Sequence, residues 1–235
     1  MASIKDIYRL ASPSVIGTAS KDPIIGIEVE WEQVRIHSDN VTAYWMTDHD
    51  GSLRNNGTEF ISRPVHMSYA ENILKILLDG VSHKVSPRCS THVHVDMTNA
   101  TQEEVKNILR LYLQLERMLF KQVNPARYRS IFCIPIGQTD YHLHPLWGYL
   151  VNRGEPLWSK YTALNLRPLV SLGTIEFRHF PGLSNLSLFL QWLEIIKKIV
   201  TLGKTQNTLM TEEEIFKHFG IFPDKRDMIL AGVLY

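Results

Sequence analysis

Cysteine is scarce in this sequence, and long apolar runs are missing. The 235 residues include two cysteines, Cys89 and Cys133, which cannot form a disulfide framework and show neither zinc-finger nor redox spacing. No stretch approaches the roughly 18 apolar residues of a membrane span. The segment Met1-Ala2-Ser3-Ile4-Lys5-Asp6 also lacks the apolar core of a signal peptide. We therefore expect a cytoplasmic protein that does not insert into a membrane.

An excess of charge is missing as well. Lys and Arg number 25 against 24 Asp and Glu, which gives a formal net charge of +1. Proteins that bind nucleic acid usually carry a basic excess or a basic stripe for the phosphates, so this balance argues against a nucleic-acid partner. Repeats and linker-like segments are absent from the sequence, and 235 residues suffice for one well-buried core. We predict a single domain over residues 1–235.

The periodicity of the sequence predicts an α+β fold. Runs that alternate or are rich in β-branched residues predict about six strands, at residues 24–36, 41–47, 57–63, 90–97, 161–166 and 174–180. The turn residues Ser38-Asp39-Asn40 predict a hairpin between the first two. Helices are predicted within residues 1–22, over 185–202, and after the capping boxes Ser68/Glu71, Thr101/Glu104 and Thr211/Glu214. Strands early and late in the chain, with long helices between them, favour an antiparallel sheet with helices packed on one face.

Charged side chains occur inside the predicted strands, where Asp and Glu are normally depleted. Glu28 and Glu30 are two residues apart, so both lie on one face of the first strand, and His92 and His94 share a face in the same way. The other members of this group are Glu59 in the third strand and Glu176 and Arg178 in the last. A single strand with a hydrated face would explain any one of these residues, but four such strands favour a functional face.

These residue types suit a site that binds metal and phosphate. Two ionised glutamates on one face repel each other unless a cation lies between them, and oxygen-rich sites with few imidazoles suit hard cations such as Mg²⁺ or Mn²⁺. The guanidinium group of Arg178 matches the geometry of phosphoryl oxygens and binds them in a bidentate manner. A metal combined with an arginine on a sheet face indicates phosphoryl transfer.

Five sequence motifs follow one another along the chain. They are Gly26-Ile27-Glu28-Val29-Glu30; Asp50-Gly51-Ser52-Leu53 with Gly57-Thr58-Glu59-Phe60-Ile61-Ser62; Thr91-His92-Val93-His94-Val95-Asp96; Lys160-Tyr161-Thr162-Ala163-Leu164-Asn165-Leu166; and Thr174-Ile175-Glu176-Phe177-Arg178. By these motifs the chain resembles the amidoligases, a group in the carboxylate–amine ligase superfamily of glutamine synthetase and glutamate–cysteine ligase. The resemblance implies a catalytic domain like that of glutamine synthetase. It also implies a ligase that uses ATP and Mg²⁺ or Mn²⁺ and forms an acyl phosphate.

The resemblance implies metal ligands on three strands. Glu28 and Glu30 look like the two glutamates that are divided between two metal sites. Glu59 looks like a further ligand of the metal that Glu30 helps to hold, with Asp50 as its neighbour. His92 resembles the histidine that binds the metal under the ATP phosphates.

Further roles follow from the same resemblance. Glu176 looks like another metal ligand, and Arg178 looks like the group that stabilises the transferred phosphate. Contacts to the nucleotide, a phosphate or the substrate are implied for His94, Lys160, Asn165, Arg127 and Arg129. The catalytic residues that the resemblance implies are therefore Arg178, Glu176 and Glu59.

The substrates implied by the resemblance are a carboxylate and an amine, belonging to an amino acid, a peptide or a protein. Acceptor selectivity is expected in the segment Pro125–Trp158, whose His142 and His144 read as part of a polar loop. Compact chains of this kind resemble ones encoded by bacteriophages and bacteria. Oligomerisation is left open.

Three other functions remain open at this point. The strand His92-Val93-His94 is similar to the His-x-His of some metal-dependent hydrolases, although the (β/α)₈ barrel of that class fits 235 residues with clustered strands poorly. A binding module that has lost the reaction would keep the same fold. A third alternative phosphorylates a guanidino or similar group without ligation.

Overall fold

The computed structural model describes residues 2–139, 158–206 and 208–233. The chain divides into two compact units. Unit 1 comprises Met1–Ser12, Met97–Glu176 and Glu194–Tyr235, and unit 2 comprises Pro13–Asp96 and Phe177–Leu193. Within the segment expected to select the acceptor, residues 140–157 lie outside the described residues, and His142 and His144 are among them.

Strands and helices are interleaved along the described chain. The strands are β1 (Ile24–Ile36), β2 (Trp45–Asp48), β3 (Thr58–Ser62), β4 (Val65–His66), β5 (Val81–Lys84), β6 (Ser90–Asp96), β7 (Leu164–Asn165) and β8 (Thr174–Pro181). The helices are α1 (Ile4–Tyr8), α2 (Val41–Tyr44), α3 (Ala70–Gly80), α4 (Gln102–Val123), α5 (Pro168–Ser171), α6 (Leu186–Thr205), α7 (Glu212–Phe219) and α8 (Lys225–Val233). Short 3₁₀ helices cover Met67–Tyr69, Pro125–Arg129 and Ile136–Gln138.

The described strands form a mostly antiparallel sheet of eight strands. The predicted combination of helices with an antiparallel sheet is therefore confirmed, with eight strands where about six were predicted. In unit 2, β1 is the central strand and pairs antiparallel with β3, β4, β5 and β6. The additional strands β4 and β5 have two and four residues, which is too short for an alternating pattern to stand out in the sequence.

The two faces of β1 differ sharply in polarity. Ile25, Ile27, Val29 and Trp31 are almost fully buried and form part of the core of unit 2. The residues between them point to the opposite face because side chains alternate along a strand. That face carries Gly26, Glu28, Glu30 and Glu32. The strand thus supports the apolar core on one side and a row of carboxylates on the other.

The predicted hairpin between 24–36 and 41–47 is wrong. Residues Val41–Tyr44 form a short helix, and the strand that follows, β2, pairs with β3 rather than with β1. The end of β1 already has β5 as its partner, with Arg35 opposite Ser82 and Ile36 opposite Val81. Because β5 takes that place on β1, α2 carries the chain on to the outer side of β3.

Two of the three predicted capping boxes are confirmed. Thr101 with Glu104 begins α4, and Thr211 with Glu214 begins α7, each with both reciprocal hydrogen bonds. The box predicted at Ser68 is wrong, because the 3₁₀ helix Met67–Tyr69 precedes α3 and the helix has no side-chain cap. The hydroxyl group of Ser68 instead donates to Oγ of Ser20 at 3.4 Å.

In unit 1, the long helix α4 is held by contacts along its length. Its side chains at helical spacing are buried, and Gln114 exchanges two hydrogen bonds with the backbone of Met210, at 2.7 and 3.2 Å. Further along, the backbone N–H of Arg117 donates to Asp227 in α8 at 2.8 Å. The strand predicted at 161–166 is reduced to β7, Leu164–Asn165.

Within the described residues, no helix has both the length and the apolar character needed to cross a lipid bilayer.

Candidate metal centre

Three neighbouring strands of unit 2 align carboxylates in one row of the sheet. Glu30 on β1 lies directly opposite Glu59 on β3, and Glu59 lies directly opposite Asp48 on β2. Residues opposite one another in an antiparallel pair share a face, with Cβ atoms about 5 Å apart. The sheet register therefore places Asp48, Glu59 and Glu30 side by side.

Glu28 forms the centre of a second row. Its Oε2 lies 3.1 Å from Nδ1 of His92, and its Oε1 lies 3.1 Å from Nε2 of His94. Burial raises the pKa of Glu28, but hydrogen bonds to the two imidazoles and their positive charge outweigh burial and hold the pKa well below its usual range. Glu28 is therefore an anion held between two histidine rings.

Glu59 has the opposite electrostatic environment. Burial raises the pKa of Glu59 to about 8, and the negative charges of Glu28, Glu30, Asp50 and Asp48 contribute to the increase. A bound divalent ion would remove the repulsion, because it replaces mutual repulsion between carboxylates by attraction to a shared positive charge.

Ser90 connects the two rows. Its backbone N–H and its hydroxyl group both donate to Oε2 of Glu30, at 2.8 and 2.6 Å. The same hydroxyl oxygen lies 2.8 Å from Nε2 of His92. Ser90, Glu30 and His92 are all buried, so these contacts fix the orientations of the glutamate and the imidazole.

The donor atoms fit a divalent cation. One ligand atom from each of Glu30, Glu59 and His92 lies within 4.8 Å of the other two. Carboxylate oxygens with a single imidazole suit Mg²⁺ or Mn²⁺ better than a softer metal. The predicted ligands Glu28, Glu30, Glu59 and His92 are thus all on the polar face of the sheet in unit 2.

Arg178 extends this group along β8. Its Nη1 lies 3.5 Å from Nδ1 of His92. A guanidinium group at this place brings a permanent positive charge to the edge of the carboxylate rows. Asp50 lies in the loop before β3, where its Oδ1 accepts a hydrogen bond from the backbone N–H of Ser52 at 2.6 Å.

The remaining predicted residues belong to unit 1. Glu176, on β8, is buried, and Nδ2 of Asn165 donates to its Oε2 at 2.6 Å. Lys160 lies over the ring of its neighbour Tyr161, with Nζ 5.1 Å from the ring centroid. Arg127, which is buried, and Arg129 lie in the 3₁₀ helix Pro125–Arg129. The structure thus joins Asn165 to Glu176.

Three further polar residues take part in the site of unit 2 and were not predicted from the sequence. Ser90 bonds to both Glu30 and His92, Asp48 lies opposite Glu59, and Oε1 of Glu32 accepts a hydrogen bond from the backbone N–H of Arg54 at 3.0 Å. The alternation of side chains along β1 and β6 could have indicated two of these residues. Glu32 continues the series of Glu28 and Glu30, and Ser90 precedes His92 and His94 at the same spacing.

The sequence matches a family of known proteins. A family model described as "Putative amidoligase enzyme" matches residues 27–144, which are 118 of the 235 residues of the chain. The matched range contains the carboxylates and histidines of β1, β3 and β6 and ends before β7 and β8. The search among curated proteins finds no match.

Proposed function

This chain belongs to the amidoligase family, and from that premise we propose that it is an ATP-dependent ligase that uses Mg²⁺ or Mn²⁺ to join a carboxylate to an amine. A carboxylate is a poor acyl donor because its leaving group would be oxide. Transfer of the γ-phosphoryl group of ATP to the carboxylate gives an acyl phosphate and ADP. The amine then attacks the acyl carbon, phosphate leaves, and an amide remains.

The observation that carries this proposal is the opposed pair of Glu30 and Glu59. The pair is held in register by β1 and β3, and the pKa of Glu59 is raised to about 8 by burial and by neighbouring carboxylates. A structural ion-pair network would place a cationic side chain against such a pair. In a divalent metal site, a cation bound from solution supplies that positive charge instead.

We assign the cation ligands to the two carboxylate rows. Glu30 and Glu59 would hold one ion, and Glu28 and His92 would help to hold a second. When bound, such ions neutralise phosphate charge and orient the phosphoryl group for in-line transfer. We propose Glu176 as a further ligand, with Asn165 holding its carboxylate by the 2.6 Å hydrogen bond.

Arg178 is proposed to stabilise the transferred phosphoryl group. Its guanidinium group reaches the metal-binding histidine, at 3.5 Å, and carries the bidentate donors that suit phosphoryl oxygens. His94 is assigned to the nucleotide. We propose additional contacts to phosphate or substrate from Lys160, Arg127 and Arg129. Asn165 is proposed to act by holding the carboxylate of Glu176.

The fold supports the assignment at the level of architecture. We propose that the mostly antiparallel sheet is that of a catalytic domain like the one in glutamine synthetase, and that the chain acts as a single catalytic domain in the cytoplasm. In this account the carboxylates face the reacting phosphates from one side of the sheet. The substrates are a carboxylate and an amine of an amino acid, a peptide or a protein.

Isotope transfer during turnover tests this proposal. Purified protein with ATP and Mg²⁺ is screened for ADP release against pairs of carboxylates and amines, and an active carboxylate is then labelled with ¹⁸O. We expect ADP release that requires both partners and one ¹⁸O atom in the inorganic phosphate, because the acyl phosphate passes a carboxylate oxygen to phosphate. Release of ADP with all the label left in the amide and the unreacted carboxylate would contradict the proposal.

A metal-dependent hydrolase is the second candidate. Two imidazoles and a carboxylate meet at Glu28, which is a donor set that zinc also accepts. Hydrolysis of an amide by the zinc-loaded protein without nucleotide would favour this reading over the ligase.

A further inference from the structure

Ser90 contacts two candidate metal ligands through a single hydroxyl group. Its Oγ lies 2.6 Å from Oε2 of Glu30 and 2.8 Å from Nε2 of His92. A serine hydroxyl has one hydrogen to donate and two lone pairs to accept with. It can therefore donate to only one of these two neighbours.

The direction of both hydrogen bonds follows from the chemistry of the carboxylate. An ionised carboxylate only accepts hydrogen bonds, so the short contact to Glu30 requires that Ser90 donates its hydrogen there. The hydroxyl oxygen must then accept from His92, which places a hydrogen on Nε2. Glu28 is also an acceptor, so Nδ1 shares a hydrogen with its Oε2 at 3.1 Å, and a cation that binds beside Glu28 takes the place of that hydrogen.

We propose that Ser90 is a positioning residue that fixes the hydrogen of His92 on Nε2 and so directs Nδ1 to the cation beside Glu28. By the same hydroxyl group it holds Oε2 of Glu30, and the other oxygen of Glu30, Oε1, serves the cation shared with Glu59. One side chain thereby sets the ligand atoms of both cation sites. This inference rests on the cation sites of the proposed function.

The distances agree with this assignment. Adjacent ligands of an octahedral ion with bonds of about 2.1 Å are about 3 Å apart. Nδ1 of His92 and Oε2 of Glu28 are 3.1 Å apart, so both can bind one ion with little movement. Because Nε2 is bonded to Ser90, we assign His92 to the ion at Glu28, and within the group of Glu30, Glu59 and His92 the second ion is then held by the two carboxylates.

The matched variants Ser90→Thr and Ser90→Val separate the hydroxyl group from the shape of the side chain. Both add the same branch, and only Thr retains a hydroxyl group. Ser90→Ala provides the same loss of the hydroxyl group without added volume, should the branch disturb the buried site. Ser62→Ala is the control, because that buried hydroxyl group accepts from the backbone N–H of Ile27 and contacts no carboxylate of the site.

The first readout is the ring nitrogen of His92 that carries the hydrogen in protein saturated with Mg²⁺, from long-range ¹⁵N–¹H correlation spectra. We expect hydrogen on Nε2 in the native protein and in Ser90→Thr. In Ser90→Val and Ser90→Ala we expect a substantial share of the Nδ1–H form, because Nε2 has lost its acceptor and Glu28 can accept from Nδ1. An unchanged Nε2–H form in both variants would overturn the inference.

The second readout is Mn²⁺ binding measured by titration. Loss of such second-layer hydrogen bonds typically weakens metal binding by about 10- to 100-fold. We expect a weakening of this size for Ser90→Val and Ser90→Ala, with native-like affinity for Ser90→Thr and Ser62→Ala. Equal affinity in Ser90→Val and Ser90→Thr would overturn the inference. Failure of the native protein itself to bind Mg²⁺ or Mn²⁺ would instead overturn the proposed function, and the inference with it.

Discussion

Arg178 is the residue at which positive charge meets the two carboxylate rows of unit 2. Nη1 of this side chain is 3.5 Å from Nδ1 of His92, and the proposed phosphoryl group would lie against it. Lysine would keep the charge but lose the planar fork of donors that matches phosphoryl oxygens.

We therefore predict that Arg178→Lys lowers kcat for ADP release by about 10²–10³-fold, the usual loss when a donor to developing charge is removed. Mn²⁺ affinity should change little, because the ligand atoms remain. Arg88→Lys is the matched control, since Arg88 is exposed and donates to the backbone oxygen of Ser52. Steady-state kinetics and metal titration measure both effects, and an unaltered kcat in Arg178→Lys would remove Arg178 from the phosphoryl site.

At the scale of the element, α4 carries a buried carboxylate that is hydrogen-bonded to the first residues of the 3₁₀ helix Ile136–Gln138. Glu116 accepts hydrogen bonds from the backbone N–H groups of Ile136 and Gly137, at 2.6 and 2.9 Å, and from the hydroxyl group of Tyr112 at 2.8 Å. Burial raises the pKa of Glu116 to about 7 although these hydrogen bonds lower it. The charge of Asp227 adds to the increase.

The pKa of Glu116 predicts a specific pH dependence of stability. Because the folded pKa of about 7 lies above the usual value, the folded state binds more protons between about pH 4.5 and 7, and stability falls as pH rises through that window. Relative to Glu116→Gln, native protein should lose on the order of 3 kcal/mol between about pH 4.5 and 8. Urea unfolding of both proteins across that range measures the difference. A difference that does not vary with pH would contradict the prediction.

Helices α4 and α6 approach each other closely at Gly203 in unit 1. A Cβ atom at that position would lie 2.6 Å from Cα of Ile108, which is a contact with backbone that a side chain cannot relieve by rotating. Alanine is the better helix former by about 1 kcal/mol, so propensity alone favours the substitution.

We predict that Gly203→Ala destabilises the protein by about 1–3 kcal/mol, because the clash outweighs propensity. Gly232→Ala in α8 is the matched control. The nearest side-chain atom to its Cβ would be Cδ1 of Leu209 at an ordinary 3.9 Å, so this change should be neutral or stabilising. Thermal and urea unfolding give both values. Equal effects of the two substitutions would show that the contact at Ile108 is relieved by a shift of the helices.

At the scale of the whole molecule, the sequence predicted the class of fold better than its connections. The alternation along β1 extends over a long segment, so the strand was predicted with the bounds that it has, and the capping box at Thr101 predicted the start of α4. The hairpin at Ser38-Asp39-Asn40 was wrong because the choice of partner depends on β5, whose four residues carry no pattern of their own. Strand pairing is a tertiary property that the local sequence does not contain.

The candidate site was likewise predicted in its residues and not in its spatial arrangement. Glu28, Glu30, Glu59, His92 and Arg178 were predicted because charged groups inside strands are conspicuous. The register that sets Glu30 against Glu59, and the hydrogen bonds of Ser90, were not predictable because they arise between strands that are distant in the chain. A serine in a strand also has no unusual chemistry to attract notice. The residues of the candidate site were thus predictable one by one, and their arrangement was not.

Calorimetric titration of metal-stripped protein with a non-hydrolysable ATP analogue, with and without Mg²⁺, tests the central claim most directly. Native protein is compared with Glu59→Gln and with Glu71→Gln, whose carboxylate is exposed and paired with Lys75 at 2.7 Å. The account predicts that native protein and Glu71→Gln bind the nucleotide only with Mg²⁺, and that Glu59→Gln weakens this binding by about tenfold or more. Nucleotide binding that depends on neither Mg²⁺ nor Glu59 would contradict the account, and so would no binding under any condition.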